Sequence, residues 1–229
     1  MPKPLSELIE AKEPAWPKVQ AWIAAAKNPV EVLPAPSRRA SEVLVALQVT
    51  TRSPMGAIAF QSAGLLVDHG WLRLLGAGSD RFEGDLARWN GLGAKPLVEP
   101  FDGGMFVAHD AIGGFFALDG GALGDGKGGA FYLAPDTLEW APLGFGYSGL
   151  LSFALSGDLA SFYADYRWPG WEAEVKALAP DRGFNFDPPL FAEAESFAAR
   201  RREPAQMPAL LSLNLAYAEQ LLAPKPGGK

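Results

Sequence analysis

Residues 55–140 constrain the fold more than any other part of the chain. Their apolar residues come in runs of four to six, at 55–60, 65–68, 71–75, 105–109, 115–118 and 130–133. The runs are cut by Gly64, by His69-Gly70 and by the glycine-rich stretch 120–129. Short apolar runs bounded by turn residues read as strands. No segment between them has the length and spacing of a crossover helix, so neighbouring strands run antiparallel. Residues 76–90 read as a polar loop with one helical turn near Leu86 to Trp89.

Helical spacing brackets this block. Before it, Leu5, Leu8 and Ile9 begin a short turn, and Val19, Trp22, Ile23 and Ala26 share one face of a helix opening near Trp16-Pro17. Asn28-Pro29 stops that helix, residues 30–33 are extended, and Ser37 is placed to cap a third helix striped by Ala40, Val43, Leu44 and Leu47. After it, Ser148 and Asp158 are placed to cap two helical pieces. A third covers 171–178, and a closing helix covers 209–222. Phe184, Phe186, Leu190, Phe191 and Phe197 mark a segment lying on the core. The expected fold class is α+β, with a mostly antiparallel central sheet of about five or six short strands flanked by N- and C-terminal helices. Residues 1–223 read as a single domain whose C-terminal helical part is about 145–223, and 224–229 as a disordered tail.

Charge and cysteine content narrow the partners. The formal net charge is -6, which argues against a nucleic-acid backbone or an anionic membrane surface as partner. The dense basic run Arg200-Arg201-Arg202 reads as a solvated helix end. The chain has no cysteine, so disulfides, thiolate catalysis and cysteine-bound metals are excluded. No apolar signal core follows Met1-Pro2-Lys3-Pro4, and no run of about 18 apolar residues exists. A cytoplasmic location is expected.

Each motif that suggests chemistry has a plainer explanation. His69 falls in a turn and His109 ends a strand beside Asp110, so adjacent His109 and Asp110 point to opposite faces and form no ligand pair. Both histidines read as solvent-edge residues. Gly146-Tyr147-Ser148-Gly149 lacks the second glycine of a nucleophile elbow, since Leu150 stands there. Gly126-Lys127-Gly128 opens no helix, and Gly76-Ala77-Gly78 has Arg81 where a dinucleotide fingerprint needs glycine. Asp102, Asp110, Asp119, Asp125 and Asp136 recur near strand ends at irregular spacing and read as turn residues. No metal and no cofactor is expected.

Several strings, taken together, resemble a bacterial family known as the domain of unknown function DUF 2625. They are Thr50-Thr51-Arg52-Ser53-Pro54-Met55-Gly56, Gly70-Trp71-Leu72-Arg73-Leu74-Leu75-Gly76, Gly113-Gly114-Phe115-Phe116, Gly120-Gly121, Ala134-Pro135-Asp136-Thr137-Leu138-Glu139-Trp140, Leu155-Ser156-Gly157-Asp158 and Trp168-Pro169-Gly170-Trp171. The order of elements, with a Gly-Gly-Phe strand and Tyr147-Ser148 ahead of Leu150, Leu151 and Phe153, is also similar to SMI1/KNR4-like (SUKH) domains. That second resemblance implies a protein-binding module, in many bacterial members an immunity protein.

The expected function is therefore a non-enzymatic protein-binding module with an immunity-like or scaffold role, its partner another protein or a second copy of itself. Two alternatives stand beside it: an enzyme or binder of a small polar ligand using Arg52, Arg73, Asp110 or Asp136, and a structural homo-oligomer. Trp71 and Arg73 alternate with Leu72 and Leu74 along one strand. If the leucines face the core, Trp71 and Arg73 face outward together, with Trp140 nearby, in the composition of an interface hot spot. The reverse register buries Trp71. Arg52, held by the extended residue before Pro54, is expected to grip a carboxylate, either Asp136 or one on a partner.

Overall fold

The computed structural model describes residues 2–9, 12–93, 95–124 and 128–222. Asp125, Gly126, Lys127 and the tail 224–229 lie outside the described residues, so the expectations placed on them are not addressed. The main sheet contains β1 (Val30–Pro34), β2 (Ser62–Val67), β3 (Leu72–Leu75), β4 (Gly104–Asp110), β5 (Phe115–Asp119), β6 (Gly129–Leu133) and β7 (Trp140–Gly146). They lie side by side in chain order, and every neighbouring pair is antiparallel. The antiparallel α+β architecture agrees with the sequence. The strand count is seven, above the expected five or six. The extended segment at residues 30–33 joins the sheet as one edge, and the chain after Trp140 continues as the other.

Four helices precede or interrupt the first strands: α1 (Leu5–Leu8), α2 (Trp16–Ala24), α3 (Ser37–Leu47) and α4 (Pro54–Gln61). Four follow the sheet: α5 (Tyr147–Ser156), α6 (Leu159–Phe162), α7 (Trp171–Ala177) and α8 (Met207–Leu222). Between the last two, β8 (Arg182–Asp187) and β9 (Arg201–Gln206) pair as a separate antiparallel ribbon, which the sequence did not announce.

Residues 55–60, expected as a strand, are helical. Pro54 fits the first turn, and the Ser53 hydroxyl accepts from the Gly56 amide at 3.0 Å. A short, uniformly apolar run cannot be assigned by periodicity, because a buried helix and a buried strand both read that way. Here Ala57, Ile58 and Ala59 are fully buried. A side chain at Gly56 would collide with the Thr50 carbonyl. Two expected caps are also corrected. α3 starts at Ser37 itself, and α5 starts at Tyr147 after Gly146, neither with a side-chain cap. Asp158 does cap α6, accepting from the Ser161 amide at 2.9 Å.

The register defines two faces. Glu31, Leu66, Arg73, His109, Phe115, Leu133 and Trp140 stand directly opposite one another strand by strand, in a row across one face. Val32, Leu65, Leu74, Ala108, Phe116, Tyr132 and Ala141 make the matching row on the other. The first face is covered over His109 and Trp140 by Phe82, Trp89 and Phe101 from the loop between β3 and β4. The second is covered by α5 and α6, with Phe162 against Tyr132. All four residues of β3 are buried.

Candidate functional site

The β2–β3 hairpin sets up the site. Asp68, His69 and Gly70 take φ values of 54°, 60° and 86°, left-handed conformations that a tight turn demands. The turn delivers Trp71 and Arg73 inward, not outward. Trp71 is 0% exposed, and its ring lies 4.9 Å from Trp171, 5.4 Å from Tyr163 and 5.7 Å from Trp168. The expectation that Trp71 and Arg73 face solvent together is overturned, because α7 and the segments beside it cover the face that alternation left open. Leu72 and Leu74 are buried as well, under the opposite layer.

Arg73 is 1% exposed. Its Nε donates to the Gly70 carbonyl at 2.6 Å, and one Nη donates to the Arg182 carbonyl. No described carboxylate pairs with it directly. Burial pushes its pKa down to about 10, while the charges of Asp110 and Asp181 resist. A guanidinium carries five N–H groups, and these two contacts occupy only part of them. The second terminal nitrogen has no described hydrogen bond. Arg73 lines a cavity of about 200 Å³.

The same cavity is lined by Glu31, His69, Arg81 and Lys176. Arg81 grips Glu31 with both terminal nitrogens, the longer contact 3.1 Å. This pairing holds the Glu31 carboxyl below its usual range, against some burial. Leu66, Val175 and Leu178 supply apolar wall. Three permanent cations thus face one carboxylate that Arg81 already occupies, in a chain of net negative charge.

On the opposite face, Asp110 forms a closed polar centre. One carboxyl oxygen accepts from the amides of Ile112 at 3.1 Å and Gly114 at 2.7 Å, the other from the hydroxyls of Tyr132 at 2.7 Å and Tyr163 at 3.1 Å. Burial raises its pKa, with the four donors pulling the other way. Gly114 is required here, since a Cβ would run into the Tyr132 hydroxyl and the Asp110 carboxylate. With every contact internal, this is a structural centre that fixes the turn after β4. His109, expected at the solvent edge, is 1% exposed and ringed by Phe82, Trp89 and Phe115.

The remaining expected residues lie apart from the cavity. Arg52 does not reach Asp136. It pairs with Glu13 at 3.0 Å, both side chains largely exposed. Asp136 instead accepts from the Tyr166 hydroxyl. Trp140 is half-buried and stacked on Phe101 at 5.6 Å. Ser148 is an exposed residue in the first turn of α5. Among the described residues no group of three or more His, Asp or Glu is placed to hold a metal ion. No helix among them is long and apolar enough to cross a membrane. Of the expected ligand-binding residues only Arg73 meets the cavity. Glu31, Arg81 and Lys176 carried no local signal, because nothing in the sequence near them marks a site.

Two relatives cover most of the chain. A putative uncharacterized protein, YbfG, of Escherichia coli (strain K12) is 40% identical over 203 residues, 86% of this chain and 89% of the relative. An uncharacterized protein of Haemophilus influenzae (strain ATCC 51907 / DSM 11121 / KW20 / Rd) is 36% identical over 192 residues, 81% of this chain and 82% of the relative. No solved structure matches the chain. The family model described as protein of unknown function DUF2625 matches residues 5–210, and the chain belongs to that family.

Proposed function

We propose that this protein is a cytoplasmic binding protein for a small anion, held in the cavity floored by Arg73. The observation that carries the reading is the state of that guanidinium. It is buried, its described hydrogen bonds go to backbone carbonyls, and it lines a cavity together with Arg81 and Lys176. Burying a charge without a paired counter-charge is costly, and an incoming anion supplies the missing partner. The cavity is smaller than the roughly 300–1,000 Å³ of sites for drug-sized ligands, so the ligand is small. Thermal unfolding in the presence of a panel of inorganic and organic anions tests this. One class should stabilise the wild type and lose its effect in Arg73→Met. An anion effect that is equal in Arg73→Met and in the wild type defeats the proposal.

A protein-binding role, with an immunity-like or scaffold character, is the second reading, and the open edge of the sheet favours it. β7 exposes Ala141, Pro142 and Gly144, and Trp140 lines an apolar groove of about 210 Å³ with Pro100, Leu211 and Leu215, the last 46% exposed. Pro142 removes a donor from the edge, which favours side-chain docking over strand addition. The similarity in element order to SMI1/KNR4-like domains supports the same role. Under it, Trp140→Ala should leave folding intact and abolish association with a partner or a second copy. Association unchanged in Trp140→Ala would count against this surface.

A further inference from the structure

The ligand class can be narrowed, on the premise that the Arg73 cavity binds an anion. We infer that the cavity is built for a phosphate group, carried by a small phosphomonoester, in preference to a carboxylate.

Charge is the first reason. Arg73, Arg81 and Lys176 line the cavity against Glu31 alone, and Glu31 is held bidentately by Arg81. The nearby carboxylates Asp110 and Asp181 partly stabilise the Arg73 charge, but neither lines the cavity. Asp110 is enclosed by four donors on the other face of the sheet, and Asp181 accepts from the amides of Glu83 and Gly84 at 2.9 Å. Two cations beyond the Arg81–Glu31 pair match a group carrying about -1.5 to -2 charge near neutral pH, as a phosphomonoester does. A monocarboxylate leaves one of them unneutralised.

Donor geometry is the second. The Arg73 side chain donates from Nε to the Gly70 carbonyl and from one Nη to the Arg182 carbonyl, so its fork is fixed at two points. Lys176 comes from α7 and is exposed, a point charge supplied by a different element. His69 stands at the rim on its left-handed turn. Donors supplied by β3, the β3–β4 loop and α7 suit the three terminal oxygens of a tetrahedral group better than the two coplanar oxygens of a carboxylate. The apolar walls at Leu66, Val175 and Leu178 then meet the organic part of the ester.

Titration calorimetry of the full chain with inorganic phosphate, sulfate, acetate and glycerol phosphate tests this. Phosphate and sulfate should bind at one site, glycerol phosphate at least as tightly, and acetate at least about tenfold more weakly. Arg73→Met, which removes one charged hydrogen-bond partner, and Lys176→Glu, which also adds a repelling charge, should each weaken phosphate binding about tenfold or more. Lys176 is exposed, so Lys176→Glu folds normally even if Arg73→Met does not. Acetate binding as tightly as phosphate overturns the phosphate assignment but leaves an anion site. Binding of every anion unchanged in Lys176→Glu and in any folded Arg73 variant, or no anion binding at all, overturns the site itself.

Discussion

Arg73 and His109 stand directly opposite each other on β3 and β4, so a guanidinium and an imidazole share one buried face of the sheet. Neither ring nitrogen of His109 has a hydrogen-bond partner among the described residues. Burial, and then the charge of Arg73, hold the His109 pKa well below its usual range. The strand pairing thus joins the proposed anion site to a histidine that stays neutral in the folded protein.

This pairing sets an acid sensitivity. In the unfolded chain His109 takes up a proton as pH falls through about 6.5, and in the folded protein it does not. The unfolded state binds more protons below that pH, so His109's contribution to stability is complete above about 6.5 and declines below it, by at most about 1.4 kcal/mol per pH unit. Urea unfolding at pH 7.5 and pH 5.5 should show a larger loss in wild type than in His109→Phe. The variant also removes two unpartnered nitrogens from an aromatic cage and should be at least as stable at pH 7.5. An identical acid loss in both proteins contradicts the assignment.

Trp71 should behave as core. Its ring contacts three aromatic side chains, with the Arg167 guanidinium 5.2 Å from its centre. Trp71→Ala should cost about 3–5 kcal/mol of unfolding free energy. A variant with near wild-type stability that has lost an association would restore the surface reading.

The Asp110 centre should be cooperative. Tyr132→Phe and Tyr163→Phe each remove one hydroxyl donor and should cost about 1 kcal/mol. Asp110→Asn places an amide nitrogen against those hydroxyls or against the turn amides, leaving buried donors without acceptors, and should cost about 2–4 kcal/mol. Denaturant midpoints for the three variants and the double tyrosine variant measure the coupling. Asp110→Asn as stable as wild type would refute the account.

Arg167 should tolerate lysine poorly. Its guanidinium pairs with Asp68 and lies 4.2 Å from the centre of the Trp171 ring, on a side chain that is 15% exposed. Lysine keeps the charge but loses the planar stacking surface. Arg167→Lys should therefore cost about 1–2 kcal/mol in thermal or chemical unfolding. A cost equal to that of Arg167→Ala would show that shape, not charge, carries the contact.

Much of the framework was legible because it is local. Gly70 after His69 marks a hairpin turn through its own backbone freedom, and the runs at residues 65–68, 71–75, 105–109, 115–118 and 130–133 all contribute to strands. Trp16-Pro17 and Asp158 mark helix starts for equally local reasons. Residues 55–60 failed because a run apolar on every side carries no period. The candidate site was less legible. Glu31 and Arg81 are brought together by the β1–β2–β3 pairing, and Lys176 by a helix nearly a hundred residues beyond Arg81.

The sequence alone determined that the chain alternates along β3, with Trp71 and Arg73 on one side and Leu72 and Leu74 on the other, and that antiparallel strands without crossover helices surround it. It could not determine which side meets water, because alternation separates two faces without naming the covered one. Tertiary structure decided that neither does. The long β3–β4 loop, α7 and the chain around Arg182 close over the Arg73 side, and Leu72 and Leu74 are buried on the other. These covering segments lie far from β3 in the chain, so their effect enters only when the sheet is assembled. With both faces closed, an arginine suited to a surface becomes a buried charge at the floor of a cavity.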